Sequence, residues 1–159
     1  MNKRAVLKKI IAKLTSELEV YFRAAEYARD EATHEQNKAE NKYDTRGLEA
    51  SYLARGQSRQ AAELEAAIVE FQKLEAKKFS EPDEIDLGAL IVLEMSGEQN
   101  FYFLGPRAGG TEVEHDRKDI LVITPLSPLG EQLMGRKSGD SLQLKLGKEI
   151  RAAKIAGVE

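Results

Sequence analysis

Residues 123–142 read ITPLSPLGEQLMGRKSGDSL, a stretch dense in local start and stop signals. Ser127 is a strong helix N-cap, because its hydroxyl accepts one of the orphan amides of a first turn. Pro128 suits the first helical position, where a missing N–H costs nothing and φ is already helical. Gly135 supplies the left-handed residue that commonly follows a last turn. One short helix is therefore predicted between Ser127 and Gly135. Before it, DILVIT at 119–124 is an apolar run of strand length; after it, SLQLKLG at 141–147 alternates strictly, as a half-buried strand does.

Further out, LGALIVLEM (87–95) and NFYFLGP (100–106) are short aliphatic or aromatic runs bounded by glycine, proline and charge, and KEIRAAKIAGVE (148–159) closes the chain as a last strand. Residues 79–87, FSEPDEIDL, hold Pro82 and four acids and are expected to link this domain to what precedes it. All four prolines lie beyond residue 81, whereas only Gly47 and Gly56 interrupt the first 79 residues. Two kinds of structure share one chain, divided near 79/80.

The first part is helical. Apolar and small residues recur at steps of four and three through Leu7, Ile11, Leu14, Leu18, Tyr21, Ala25, Ala28, Ala32 and Ala39, then through Ala50, Leu53, Ala61, Leu64, Ile68, Phe71 and Leu74 with Gln57 in step. The bend between the two seams, ENKYDTRGLE at 40–49, is short and contains Gly47, so the helices should return antiparallel as a coiled-coil hairpin over residues 1–79. A helix from Leu7 to Lys42 would span roughly 54 Å. Its seam uses Leu, Ile and Phe near the base, shrinks to Ala, and ends polar at a bend crowded with charges. Buried large side chains contribute about 1.5–3 kcal/mol each and alanine far less, so stability should taper towards the bend.

Composition closes several doors. Cysteine is absent, which excludes disulfides, thiolate zinc sites and a cysteine nucleophile. His34 and His115 stand alone, without a second ligand at metal spacing. GPRAGGT and GRKSGD lack the phosphate-loop pattern and are expected to be turns. No apolar run is long enough to span a membrane, and Lys8, Lys9 and Lys13 break the one run that faintly resembles a signal peptide, so a cytoplasmic protein is expected. The net charge of −3 excludes a blanket nucleic-acid binder.

Ile123–Leu142 resembles the signature of the bacterial Gre-type transcription elongation factors, a pattern like I-S-x-x-S-P-[IL]-G-x-x-L-[ILM]-G-[KR]-x-x-G-D-x-[VL], with Thr124 in place of the serine. The order of a helical hairpin followed by a small sheet domain is also the family's. The resemblance implies an α+β fold, an antiparallel coiled coil followed by an FKBP-like antiparallel β-sheet domain over residues 80–159 with one short helix. It implies an accessory factor that is not itself an enzyme and binds RNA polymerase at its secondary channel. There, acids at the coiled-coil tip assist a Mg²⁺ of the polymerase and stimulate cleavage of backtracked RNA. The factor would hold no cofactor of its own, meet nascent RNA only within the polymerase complex, and be a monomer.

Carried onto this chain, the resemblance assigns the acidic role to Asp44 first, also as the Mg²⁺ ligand, then to Glu40 and Glu49. It assigns polymerase docking to Ser127, Pro128, Leu129, Gly130, Gly135 and Arg136, and contacts with RNA or polymerase phosphates to Lys42, Arg46 and Arg55. The tip departs from the family pattern. Cleavage-competent members carry a G-D-L-x-E-N-A-E-Y type stretch; here the nearest match is DTRGLEASY, in which Gly47 falls on the second acid, and KAEN at 38–41 is an earlier partial echo. A non-cleaving channel regulator of initiation or pausing is therefore the alternative. A prolyl isomerase or chaperone is the reading of the sheet domain alone. Alternation places Phe101 and Phe103 opposite Tyr102, which argues against an aromatic cage. Absent the resemblance, a charged bend is simply a solvated surface.

Overall fold

Asn2 starts the first helix: its side-chain Oδ1 accepts from the Ala5 amide at 3.2 Å and its carbonyl from the Val6 amide at 3.1 Å. The computed structural model describes residues 1–34, 46–74, 78–80 and 82–159. Helix α1 runs over Lys3–Thr33 and α2 over Arg46–Lys73. At the far end of α1, the Thr33 hydroxyl donates back to the Arg29 carbonyl at 3.0 Å. The expected helix beyond residue 34 and the first part of the expected bend at 40–49 lie outside the described residues; the last part of that bend is corrected, since residues 46–49, Gly47 among them, open α2.

Contacts divide the chain into two compact units, Met1–Ala12 with Val69–Glu159, and Lys13–Ile68. The start of α1 and the end of α2 thus belong together, as an antiparallel pair requires. In the second unit the seam is small: Leu14, Ala25, Ala28, Ala61, Ala67 and Ile68 are buried, while Leu18, Tyr21 and Leu64 are only partly so. In the first unit the seam departs from the heptad reading by one residue. Val6 and Ile10 are fully buried, and Leu7 and Ile11 are left half-exposed. A strict heptad drifts relative to a straight 3.6-residue helix, so the face that is buried at one end need not continue the same register at the other.

The sheet of the first unit contains β1 (Leu90–Met95), β2 (Glu98–Leu104), β3 (Glu112–His115), β4 (Lys118–Ile123), β5 (Ser141–Leu146) and β6 (Glu149–Val158), in the order β3-β4-β2-β1-β6-β5. The expectation of an antiparallel sheet is corrected at one joint. β2 and β4 run parallel, from Phe101 opposite Ile120 to Leu104 opposite Ile123, which makes the sheet mixed. Strand β3 was not expected at all. It forms a hairpin with β4 across Asp116 and Arg117, both at positive φ (52° and 60°). Two such residues build the turn whose twist matches paired strands, but Asp-Arg lacks the glycine that usually announces it.

One face of the sheet carries the main core, and the other is covered over β1, β2 and β4 but open along β5 and β6, where Gln143, Lys145, Ala152 and Lys154 are exposed. On the first, Ile91, Leu93, Leu104, Ile123, Leu144 and Ile155 cluster with Leu133 of α3 (Pro128–Leu133) and with Ile85. Tyr102 packs against the same cluster, and burial pushes its phenol pKa above the ordinary value. Alternation turns Leu90, Phe101, Phe103, Ile120 and Val122 to the other face. There Phe71 of α2 meets Phe103, ring centroids 6.2 Å apart. Gly105 makes that approach possible: a Cβ on it would lie 2.6 Å from Phe71 Cζ. Beside it Arg107 Nε donates to Glu70 Oε1, and Lys9 Nζ donates to the Glu114 carbonyl of β3 at 2.6 Å. The Met1 ammonium pairs with the Glu159 carboxylate.

Candidate functional site

The turn that leads into α3 is where the motif's residues meet. Ser127 caps the helix as expected: its Oγ accepts from the Gly130 amide at 3.1 Å and donates to the Thr124 carbonyl at 2.7 Å. Pro128 occupies the first turn. Gly130 is buried against the backbone of Thr124, where any Cβ would sit 1.9 Å from the carbonyl oxygen. Leu129 is half-buried against the core and Leu133 is fully buried. Gly135 takes the left-handed conformation, φ 73°. Its amide donates to the Ile85 carbonyl at 3.0 Å, and the Ile85 amide donates to the Arg136 carbonyl at 2.7 Å. Asp140 closes the next turn, its Oδ2 accepting from the Lys137 amide at 2.9 Å.

Of the motif's specified positions Ile123, Gly130 and Leu133 are buried, while Pro128, Met134, Gly135, Arg136 and Gly139 are exposed and leave an outward-facing ridge along the turn. Leu126 is 88 % exposed, an unusual position for leucine, with Pro128, Met134 and the Arg136 side chain also exposed. Lys137 Nζ lies 3.6 Å from Glu84 Oε1 across the α3 end, so the acidic segment before β1 borders this surface. Of the six docking positions expected from sequence, Pro128, Gly135 and Arg136 are exposed, while Ser127, Leu129 and Gly130 are turned to capping and packing. Leu126 was missed because the motif leaves its position open; the available signal was a large apolar residue in a turn between two prolines.

The tip residues stand differently. Glu40, Lys42 and Asp44 lie outside the described residues. Arg46 opens α2 and Glu49 belongs to its first turn; Arg55 is exposed further along. His34 ends the described part of the hairpin, whereas His115 is set in β3 with its Nε2 3.3 Å from Asp116 Oδ2. Among the described residues no three His, Asp or Glu side chains gather as a metal site, and no helix is long and apolar enough to cross a membrane. The chemistry open to the α3 ridge is docking: an apolar knob, a rigid proline and flanking charges, held by a turn with its internal hydrogen bonds satisfied.

No protein-family model matches the chain, and no curated protein does. Solved structures of similar chains exist. The GreA factor homolog 1 (Gfh1) protein of Thermus thermophilus is 23% identical, with 94% of each chain covered and a TM-score of 0.39. A structure described as the transcription factor Gfh1 is 24% identical over 95% of this chain and 94% of that one, with a TM-score of 0.40. Thermus aquaticus Gfh1 is 21% identical at the same coverage, TM-score 0.40.

Proposed function

We propose that this protein regulates transcription by docking on RNA polymerase at the secondary channel and acting there, on initiation or pausing, without stimulating transcript cleavage. The observation that carries the docking half is the division inside Ile123–Leu142. Ser127, Gly130, Leu133 and Asp140 serve the fold, and the same turn presents Leu126, Pro128 and Arg136 outward. A Gre-type signature with one face committed to packing and the other to an exposed apolar ridge is what a polymerase-docking turn needs. In this reading the sheet with α3 on one face is an FKBP-like docking domain, and the hairpin is the element that enters the channel. The non-cleaving half rests on the bend, where DTRGLEASY sets Gly47 at the place of the family's second acid.

Two measurements test it. Binding of the full chain to core RNA polymerase should weaken more than about tenfold in Leu126→Asp, since exposed apolar anchors at an interface centre dominate its energy. Undiminished binding would remove the ridge from the docking surface. With backtracked polymerase complexes and Mg²⁺, the protein should bind and leave transcript length unchanged while altering pausing or initiation.

Transcript shortening in that assay would establish the second reading, cleavage stimulation. There Asp44, with Glu40 and Glu49, would lend carboxylates to Mg²⁺ held by the polymerase, a hard cation that takes oxygen ligands and retains waters. Lys42, Arg46 and Arg55 would meet RNA or polymerase phosphates. Asp44→Asn separates the two readings: a cleavage factor loses its effect, a steric regulator keeps it. The isomerase reading gains nothing from the sheet, where Phe101 and Phe103 are buried on the face opposite Tyr102.

A further inference from the structure

Three methionines carry all the sulfur of this cysteine-free chain, and their surroundings differ. The Met1 side chain is only 5 % exposed, and Met95 of β1 packs against the core cluster. Met134 is the exposed one, at 37 %. It stands at the C-cap of α3, where its amide donates to the Gly130 carbonyl at 2.9 Å, so the backbone that carries it is fixed. Together with Pro82, Ile85 and Gly135 it lines an open hollow of about 390 Å³. Packing does not call for sulfur here, because the Gre-type pattern takes Ile, Leu or Met at this position.

A peroxide converts a methionine thioether to the sulfoxide. The sulfur gives up two electrons and takes one oxygen, the O–O bond breaks, and the second oxygen leaves with both protons as water. A flexible apolar side chain thereby becomes polar. In the core that change is damage. At Met134 it leaves the core untouched and alters the ridge that also presents Leu126, Pro128 and Arg136. We propose that Met134 is a site of reversible oxidation that governs the ridge, the thioether form docking and the sulfoxide form docking poorly. The inference rests on the reading of that ridge as the polymerase-docking surface. An interface that closes over the sulfoxide desolvates its oxygen without supplying a donor, which lowers affinity by about fivefold or more. Methionine sulfoxide reductases return the thioether, so the change can be undone.

Hydrogen peroxide applied to the full chain alone, then quenched, tests the site by peptide mapping in a mass spectrometer. The added oxygen should appear at Met134 ahead of Met1 and Met95. The oxidised chain should bind core RNA polymerase about fivefold or more weakly, with its urea unfolding curve unmoved, and reductase treatment should restore binding. Met134→Leu removes the sulfur; whatever affinity it starts from, peroxide should leave that affinity where it was. Earlier oxidation of Met1 or Met95, full binding by the Met134 sulfoxide, or an equal peroxide loss in Met134→Leu would each overturn the proposal. Leu126→Asp, assayed alongside, tells the two readings apart. If it weakens binding while the sulfoxide binds fully, the ridge docks and only the oxidative control is lost. If neither change matters, the docking reading fails and takes this inference with it.

Discussion

The sheet and the middle of the hairpin are held by different means. In the sheet, Leu90, Ile91, Leu93, Leu104, Ile120 and Leu144 are all fully buried, as is Leu133 of the helix packed on it. Among the described residues of the hairpin between 13 and 68, the buried ones are mostly alanines, and Val20, Phe22 and Tyr27 stand exposed. Area burial contributes about 25 cal/mol per Å², so the first region has stability to spare and the second has little. The comparison teaches that one chain can be densely packed in one region and held by little buried area in another.

The contrast is sharpest in substitution. Gly130→Ala should be the most damaging small change, since the added carbon collides with the Thr124 carbonyl and α3 cannot keep its place. A loss of more than about 4 kcal/mol in urea unfolding is expected. Amide exchange at Leu18–Ala28 should change least, and uniform acceleration along the chain would mean that the two regions are not held separately.

Next comes a matched pair of truncations. Phe71→Ala, which empties the contact with Phe103, should cost about 3–5 kcal/mol, whereas Ala61→Gly in the hairpin should cost about 1. Similar losses for the two would mean that the alanine seam holds more than its area implies. Gly56→Ala runs the other way. No atom lies within 4 Å of the added carbon, and the side chain removes backbone freedom from the unfolded chain. A gain of about 0.5–1 kcal/mol is expected, read as slower exchange in α2.

The smallest effect is one of pH. Burial raises the Tyr102 phenol above the ordinary value of 10.0, so the folded state holds that proton more tightly than the unfolded one. Its contribution is therefore complete below pH 10 and is lost as pH rises through the folded value. Tyr102→Phe should flatten this alkaline decline, measured by unfolding at a series of pH values, while hairpin substitutions leave it unchanged.

Much of this was legible in the sequence where the signal is local. Ser127, Pro128 and Gly135 announce α3, and the alternation of SLQLKLG gives β5, because capping and pleating depend on neighbours a few residues away. The parallel joint of β2 and β4 was not legible: pairing Phe101 with Ile120 is a choice made between distant segments. Strand β3 was hidden for a different reason. Only Val113 of its four residues is buried, and its turn uses Asp116–Arg117 where a glycine would have been noticed. The shift of burial to Val6 and Ile10 reflects helix geometry that a heptad count ignores. For the site, the motif located the α3 turn but not which of its residues are free. Leu126 became visible only once Ser127 and Gly130 were seen to be occupied.

Gln132 has a consequence for life at high concentration. Its amide donates to the Lys145 carbonyl at 3.0 Å and accepts from the Lys145 amide at 2.7 Å, on the side of β5 that no other strand covers. One side chain thus stands in for one residue of a seventh strand. Open edges recruit the edges of other molecules, and natural sheets guard against it. A Gln132→Leu chain would fold to the same sheet with an unguarded flank, and light scattering should find it clumping edge to edge while its unfolding curve barely moves.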